Sequence, residues 1–183
     1  MPLTQIDAVS ALVVIDMQKG IMGLQTVHPA AEILGRIARL AKAFRAKGQP
    51  VFLVNVVGRS PGRTQMQFAF NPPPDWAELA PELDRQPSDY LVSKRRVGAF
   101  TGTALDQILR ERGATQVVLT GIATGSGVES TARAAYDHGY NVVTVIDAMT
   151  DRDAEVHRHC VEKTFPRIGE TATTDEVLAL LGA

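Results

Sequence analysis

The sequence VVLTGIATGSGVESTAR, residues 117–133, decides the fold class of this chain. An apolar, β-branched run ends in a glycine-rich turn, and a helical pattern begins directly behind it. Ser126 and Glu129 have the S-x-x-E spacing of a capping box, which predicts that the helix starts there. A strand that leads straight into a helix points free backbone N–H groups into the turn, where they suit an anionic or polarised oxygen. We therefore expect this corner to form part of a functional site.

The same alternation of apolar runs and helical patterns extends along the whole chain. The predicted strands cover residues 11–15, 50–56, 90–92, 116–120 and 141–146, with a short one near 168–171. Helical patterns cover residues 33–44, 104–112 and 153–164, and a last helix begins at the capping box of Thr173 and Glu176. Apolar strands that alternate with helices predict a doubly wound α/β fold, with a mostly parallel six-stranded sheet and helices on both faces. We expect one such domain over residues 1–183.

Composition excludes several classes of protein. The chain has 183 residues, 45% of them apolar, which is enough for one sizeable core. No apolar run approaches the ~20 residues of a membrane span, and the N-terminus lacks the basic start of a secretory signal. The net charge of −1 with mixed signs indicates neither a nucleic-acid nor a membrane partner. A single cysteine excludes an internal disulfide, so we expect a cytoplasmic protein.

One segment, residues 58–88, is irregular and contains six prolines as well as Trp76, the only tryptophan. Loops of this length in compact domains usually act as lids, binding loops or interface segments. We expect this segment to lie beside a ligand site.

Two charged residues stand at predicted strand ends. Asp16 follows the apolar run of the first strand, and ligands of open parallel sheets bind outside the carboxyl ends of the strands. By itself Asp16 also fits a turn or cap aspartate. Lys94, in the run Ser93-Lys94-Arg95-Arg96, also fits a solvated basic side chain.

Three motifs together resemble the isochorismatase-like, or cysteine, hydrolases. The corner matches the family pattern G-[IV]-A-T-x-x-C-V-x-x-T-A-R except that Gly127 stands at the cysteine step, where true isochorismatases also have glycine. Asp16-Met17-Gln18 matches the D-x-Q that follows the family's first strand. Lys94 and the block Gly98-Ala99-Phe100-Thr101-Gly102-Thr103 match K-x-x-x-[SG]-A-F-x-G-T.

The resemblance implies roles for these residues. Asp16 is expected to act as the acid/base, Lys94 to contact it, and Gly127 to occupy the nucleophile position without a side chain. The residues expected to contact substrate are Gln18, Trp76, Phe100, Ile122, Ala123 and Ser126. The implied activity is hydrolysis of a small molecule without a cysteine nucleophile, exemplified by the vinyl ether of isochorismate, with no cofactor and no metal. The alternative is a catalytically degenerate homologue that binds a small ligand or a partner.

The resemblance also implies a homodimer or homotetramer, with residues 58–88 closing a neighbouring pocket, and a cis peptide bond near Ile122-Ala123. Asp147, which ends another predicted strand, is interpreted as a loop-organising residue.

Three other interpretations remain open from the residues alone. Ser126 could replace the missing nucleophile, although no histidine lies near it in sequence. His157 and Cys160 share a helix face, but two ligands do not make a zinc site, so Cys160 is expected to be a structural thiol. The run Gly125-Ser126-Gly127-Val128-Glu129-Ser130 resembles a dinucleotide fingerprint, with Ser130 at its third glycine position.

Overall fold

The computed structural model describes residues 3–65 and 71–183. Six parallel strands form one sheet in the order β3-β2-β1-β4-β5-β6, which confirms the doubly wound α/β prediction. The strands are β1 Ser10–Ile15, β2 Val51–Val56, β3 Tyr90–Lys94, β4 Gln116–Ile122, β5 Asn141–Thr150 and β6 Glu170–Ala172. The α-helices are α1 Lys19–Met22, α2 Ala30–Ala46, α3 Leu105–Glu111, α4 Glu129–Asp137, α5 Ala154–His159, α6 Phe165–Ile168 and α7 Thr174–Leu181.

Helices cover the two faces of the sheet and bury a separate apolar cluster on each. On one face, Leu109 of α3, Ala132 of α4 and Phe165 of α6 pack against β1, β2 and β4. On the opposite face, Ile37 of α2 and Val177 of α7 pack against β1, β2 and β4. Strands covered on both sides are apolar throughout, which is why β1 is buried at every residue.

The central strands approach each other closely at Gly121. This residue has φ +115°, and a Cβ atom there would overlap the carbonyl oxygen of Ile15. Only glycine meets both conditions without strain. The pairing register of β4 with β5 also shifts between Leu119 and Gly121. Gly121 thus brings the end of β4 against the end of β1.

Three local predictions were wrong. Helix α4 begins after a π-helical turn, Thr124–Val128, and its N-cap is Val128 with no side-chain hydrogen bond, so Ser126 and Glu129 form no capping box. The helix predicted over 153–164 continues through a second π-helical turn, Cys160–Thr164, to Ile168. Strand β5 extends to Thr150 instead of ending at residue 146.

Two other local features agree with the predictions. The Thr173–Glu176 capping box is present at the start of α7. Asp147 accepts hydrogen bonds from the backbone N–H and the hydroxyl of Thr174, at 2.7 and 3.0 Å, and therefore fixes the start of α7.

The helices of the described residues are all too short or too polar to span a lipid bilayer.

Candidate active site at the end of strand β1

A buried ion pair joins Asp16 and Lys94 at the carboxyl edge of the sheet. Asp16 follows the last residue of β1 and has φ +53°, a left-handed conformation that aspartate adopts more readily than most residues. Lys94 is the last residue of β3, two strands away, and its Nζ donates to Asp16 Oδ2 at 2.8 Å. Both residues are buried, at 6% and 2% exposure. The structure therefore brings together the two residues that two separate motifs pointed to.

The second oxygen of Asp16 has no partner. Oδ1 is buried and forms no hydrogen bond with any of the described residues. Burial raises the pKa of Asp16 to about 6, and the charge and hydrogen bond of Lys94 oppose that rise. A carboxyl group with a pKa close to neutrality and one free oxygen can both give and take a proton.

Gly127 lies against the same carboxyl group. A Cβ atom at residue 127 would lie 3.3 Å from Asp16 Oδ2, 2.9 Å from Ile15 Cγ2 and 3.6 Å from the carbonyl oxygen of Val97. A side chain here would therefore require Ile15 to shift and would press on Asp16. Only a residue without a side chain fits against the carboxyl group at this point without displacing Ile15.

Hydrogen bonds of Thr131 link Gly127 to the loop that follows β3. Its hydroxyl donates to the carbonyl oxygen of Gly127 at 2.6 Å and accepts from the N–H of Ala99 at 3.1 Å. Gly127 and the segment after Lys94 are therefore held together through one buried hydroxyl group.

The glycine-rich corner itself is held from the side of β5. The Ile122–Ala123 peptide bond is cis, as the resemblance implied. Asp151, directly after β5, accepts the N–H groups of Gly125 and Arg152, each at 2.7 Å. The hydroxyl of Thr124 lies 2.8 Å from His157 Nδ1. Asp151 and His157 thus fix the π-helical turn that carries Gly127.

Sequence reasoning missed Asp151 because it ended β5 at residue 146. With β5 extended to Thr150, Asp151 stands at a strand end in the same way as Asp16. The apolar pattern through Ala148 and Met149 was the available signal.

Gln18 and Trp76 join the proline-rich segment to the strand ends. The Gln18 amide donates to the carbonyl oxygens of Val56 and Trp76, each at 3.1 Å, and its oxygen accepts the N–H of Val56 at 2.8 Å. The Trp76 ring lies over Gly20, where a Cβ atom would overlap it. Substrate contact by Gln18 stays a prediction, and the structure gives its amide a positioning role.

Phe100 follows Ala99 in the loop after β3 and packs its ring against aromatic side chains that follow α4. Its ring stacks on His138 with 5.1 Å between centroids, beyond the C-terminal end of α4. Its backbone neighbour Ala99 remains joined to Gly127 through the hydroxyl of Thr131. Substrate contact by Phe100 stays a prediction, and the structure shows its ring packed on His138 and Tyr140.

Ser126 and Cys160 lack the surroundings of a nucleophile. The Ser126 side chain is exposed, and no hydrogen bond joins its hydroxyl to a histidine within residues 3–65 and 71–183. The thiol of Cys160 is buried and lies 3.4 Å from Glu129 Oε2. Burial and the charge of Glu129 raise the pKa of Cys160 to about 12, which keeps the thiol protonated.

Among the described residues, no three histidine, cysteine or acidic side chains converge to hold a metal ion.

Comparison with known proteins identifies the family to which the chain is similar. The family model described as isochorismatase domain matches residues 10–176. The uncharacterized isochorismatase family protein YwoC of Bacillus subtilis is 40% identical, over 92% of both chains. The ureidoacrylate amidohydrolase RutB of Variovorax paradoxus is 31% identical, over 91% of this chain and 79% of the relative. The solved structure of an isochorismatase family protein from Burkholderia thailandensis aligns with a TM-score of 0.94 at 41% identity, over 98% of both chains.

Proposed function

The chain belongs to the isochorismatase-like hydrolase family, and we propose that it hydrolyses a small molecule with Asp16 as acid/base and without a cysteine nucleophile. One observation carries the proposal. The buried Asp16 carboxyl group is paired with Lys94 through one oxygen, while its other oxygen is free and the neighbouring Gly127 has no side chain. This arrangement provides a buried carboxyl group in which one oxygen is held by Lys94 and the other forms no hydrogen bond with the described residues.

The absence of a suitable nucleophile favours a route without a covalent intermediate. At Gly127 there is no side chain to attack a substrate. Cys160 is the only cysteine, and its pKa of about 12 leaves almost no thiolate at neutral pH. The exposed Ser126 hydroxyl has no base beside it in the described part of the chain. Water therefore has to be the attacking group.

A vinyl ether suits this chemistry, and isochorismate is the candidate substrate. Protonated Asp16 transfers its proton to the methylene carbon of the enol ether, whose π electrons form the new C–H bond. The ether oxygen stabilises the resulting oxocarbenium ion. Water adds to the cationic carbon and returns a proton to the Asp16 carboxylate. The hemiketal then collapses to pyruvate and the ring alcohol, so the net change is addition of one water molecule.

Lys94 has two effects on Asp16. Its ammonium group stabilises the carboxylate that remains after proton transfer, and it fixes the orientation of the carboxyl group through Oδ2. With a pKa of about 6, roughly a tenth of Asp16 carries a proton at pH 7. The pair therefore balances proton donation against stabilisation of the product carboxylate.

The test is pyruvate release from isochorismate by the native protein, Asp16→Asn and Asp153→Asn. Asp153 is an exposed N-cap of α5, and asparagine serves equally well as a cap, so this variant is a matched control. We expect native activity in the control and a loss of about 10²-fold or more in Asp16→Asn. Ureidoacrylate, the substrate class named for the RutB relative, serves as the amide comparison.

Three results would contradict the proposal. A covalent adduct found by intact mass spectrometry after rapid quenching would overturn the route through water. An active Asp16→Asn variant would remove Asp16 from the chemistry. No release by any of the three proteins would exclude isochorismate and favour the alternative of a homologue that only binds a ligand or partner.

A further inference from the structure

A groove of about 460 Å³ lies on the outer side of α4, along the helical segment from α5 to α6. We call it the basic groove and define it by its lining residues, Arg133, His159, Lys163, Thr164, Arg167 and Ile168. The face of α4 opposite Arg133 is buried against the sheet, through Thr131, Ala132 and Ala135. The basic groove is therefore separate from the Asp16 site, and its interpretation does not depend on the proposed function.

The lining of the basic groove is strongly cationic. Lys163 and Arg167 lie four residues apart on one helical segment, and Arg133 lines the groove from α4. No acidic residue is among the six lining residues. Because the whole chain has a net charge of −1, this concentration of positive charge is local. Like charges one helical turn apart repel each other, so an anion that neutralises them would be bound favourably.

The cations differ in how far they are already neutralised. Arg133 is paired with Glu129 through Nε and Nη2, at 3.0 and 2.7 Å, which fixes its guanidinium group. Within the described ranges, neither Lys163 nor Arg167 forms an ion pair with an acidic side chain. One arginine is therefore oriented in advance, and two cations are available for a ligand.

We propose that the basic groove binds a small phosphorylated ligand through a pyrophosphate-type group. Guanidinium groups match phosphate oxygens in a two-pronged geometry, and a lysine adds a point charge. The volume is that of a site for a small ligand rather than for a polymer. A second groove, of about 390 Å³, shares Arg167 and Ile168 with the first and is also lined by Tyr136. Tyr136 is 53% exposed, and its ring can stack on a base that the pyrophosphate group carries.

Isothermal titration with inorganic pyrophosphate and with ADP tests this proposal on the intact protein. Both probes should bind saturably with one site per chain, and more weakly as the salt concentration rises. Lys163→Gln and Arg167→Gln should each weaken binding about tenfold. The matched control is Arg158→Gln, which removes an exposed arginine on the same helix outside the groove, and it should change affinity by less than about twofold. Asp16→Asn should also bind both probes normally, which separates this proposal from the hydrolase proposal.

The two probes distinguish the sources of the pyrophosphate group. Tighter binding of ADP than of pyrophosphate, abolished by Tyr136→Ala, identifies a nucleoside diphosphate as the ligand class. Equal affinities that Tyr136→Ala leaves unchanged support the same cationic site for a pyrophosphate without a base. The proposal is overturned if neither probe saturates the protein, or if Arg158→Gln weakens binding as much as Lys163→Gln.

Discussion

Replacing Lys94 with methionine removes the ammonium group bonded to Asp16 while keeping a long apolar stem. Lys94 Nζ lies 2.8 Å from Asp16 Oδ2. The pKa of Asp16, about 6, is the net result of burial, which raises it, and of Lys94, which lowers it. A hydrogen bond to a charged partner contributes about 1.5–3 kcal/mol, and one pKa unit corresponds to about 1.4 kcal/mol. We therefore expect the pKa of Asp16 to rise by roughly one to two units, to roughly 7–8.

The assay is a titration of aspartate carboxyl carbons by ¹³C NMR between pH 4 and pH 9. Asp16→Asn identifies the resonance by its disappearance, and Lys42→Met, an exposed substitution on α2, controls for the loss of one lysine. A pKa of Asp16 that stays near 6 or falls in Lys94→Met would refute the reasoning, because Lys94 would then not stabilise the carboxylate.

The same shift determines how stability depends on pH. The pKa of Asp16 lies near 6 in the folded chain and near 3.8 when unfolded, so between these values the folded state binds more protons. The contribution of Asp16 to the free energy of unfolding, measured by urea unfolding as the difference between the native protein and Asp16→Asn, should therefore increase as pH falls through 6 and level off below 3.8. For a shift of two units the change is about 3 kcal/mol, and it is lost again as pH rises through 6.

Two further predictions follow from other contacts, and a third follows from the family resemblance. Gly20→Ala would place a methyl group where the Trp76 ring now lies, so the ring has to move. Tryptophan emission should shift to the red, and the free energy of unfolding should fall by roughly 1–3 kcal/mol. An emission spectrum identical to that of the native protein would contradict this packing. Asp151→Ala removes the acceptor for the N–H groups of Gly125 and Arg152. The free energy of unfolding in urea should therefore fall by roughly 3 kcal/mol. A loss below about 1 kcal/mol would contradict the role of Asp151 in fixing the corner. Light scattering should give a mass that is a multiple of the 19.7 kDa chain, as expected for a homodimer or homotetramer, and a mass of one chain would refute that prediction.

Much of the fold was accessible from the sequence because the strands are buried on both faces. Such strands are continuous apolar runs, and β1 and β2 stand out even in isolation. Asp16 was accessible for a related reason, whereas the role of Lys94 came from the resemblance of its motif to the family block. Asp16 directly follows its strand, and ligands of parallel sheets bind at the carboxyl ends of the strands. The structure extends β3 to Lys94, two residues beyond the predicted strand, and so brings it to the same edge.

Other parts of the site depend on contacts between distant residues, and local patterns did not reveal them. The S-x-x-E spacing at Ser126 predicted a helix start, but Asp151, 26 residues away, binds Gly125 and stabilises a π-helical turn instead. The direction of the Phe100 ring is set by packing against His138 and Tyr140, which follow α4. The amide of Gln18 bonds to Val56 and Trp76, and neither contact has a signal in the sequence.

The pH dependence of kcat/KM for pyruvate release from isochorismate tests the role of Asp16 most directly. This parameter reports the ionisation of the free enzyme. If protonated Asp16 is the acid, kcat/KM is constant below pH 6 and falls about tenfold per pH unit above it, because the pKa of Asp16 is about 6. A value of kcat/KM that rises with pH through 6 would contradict the account, since Asp16 would then act in its ionised form.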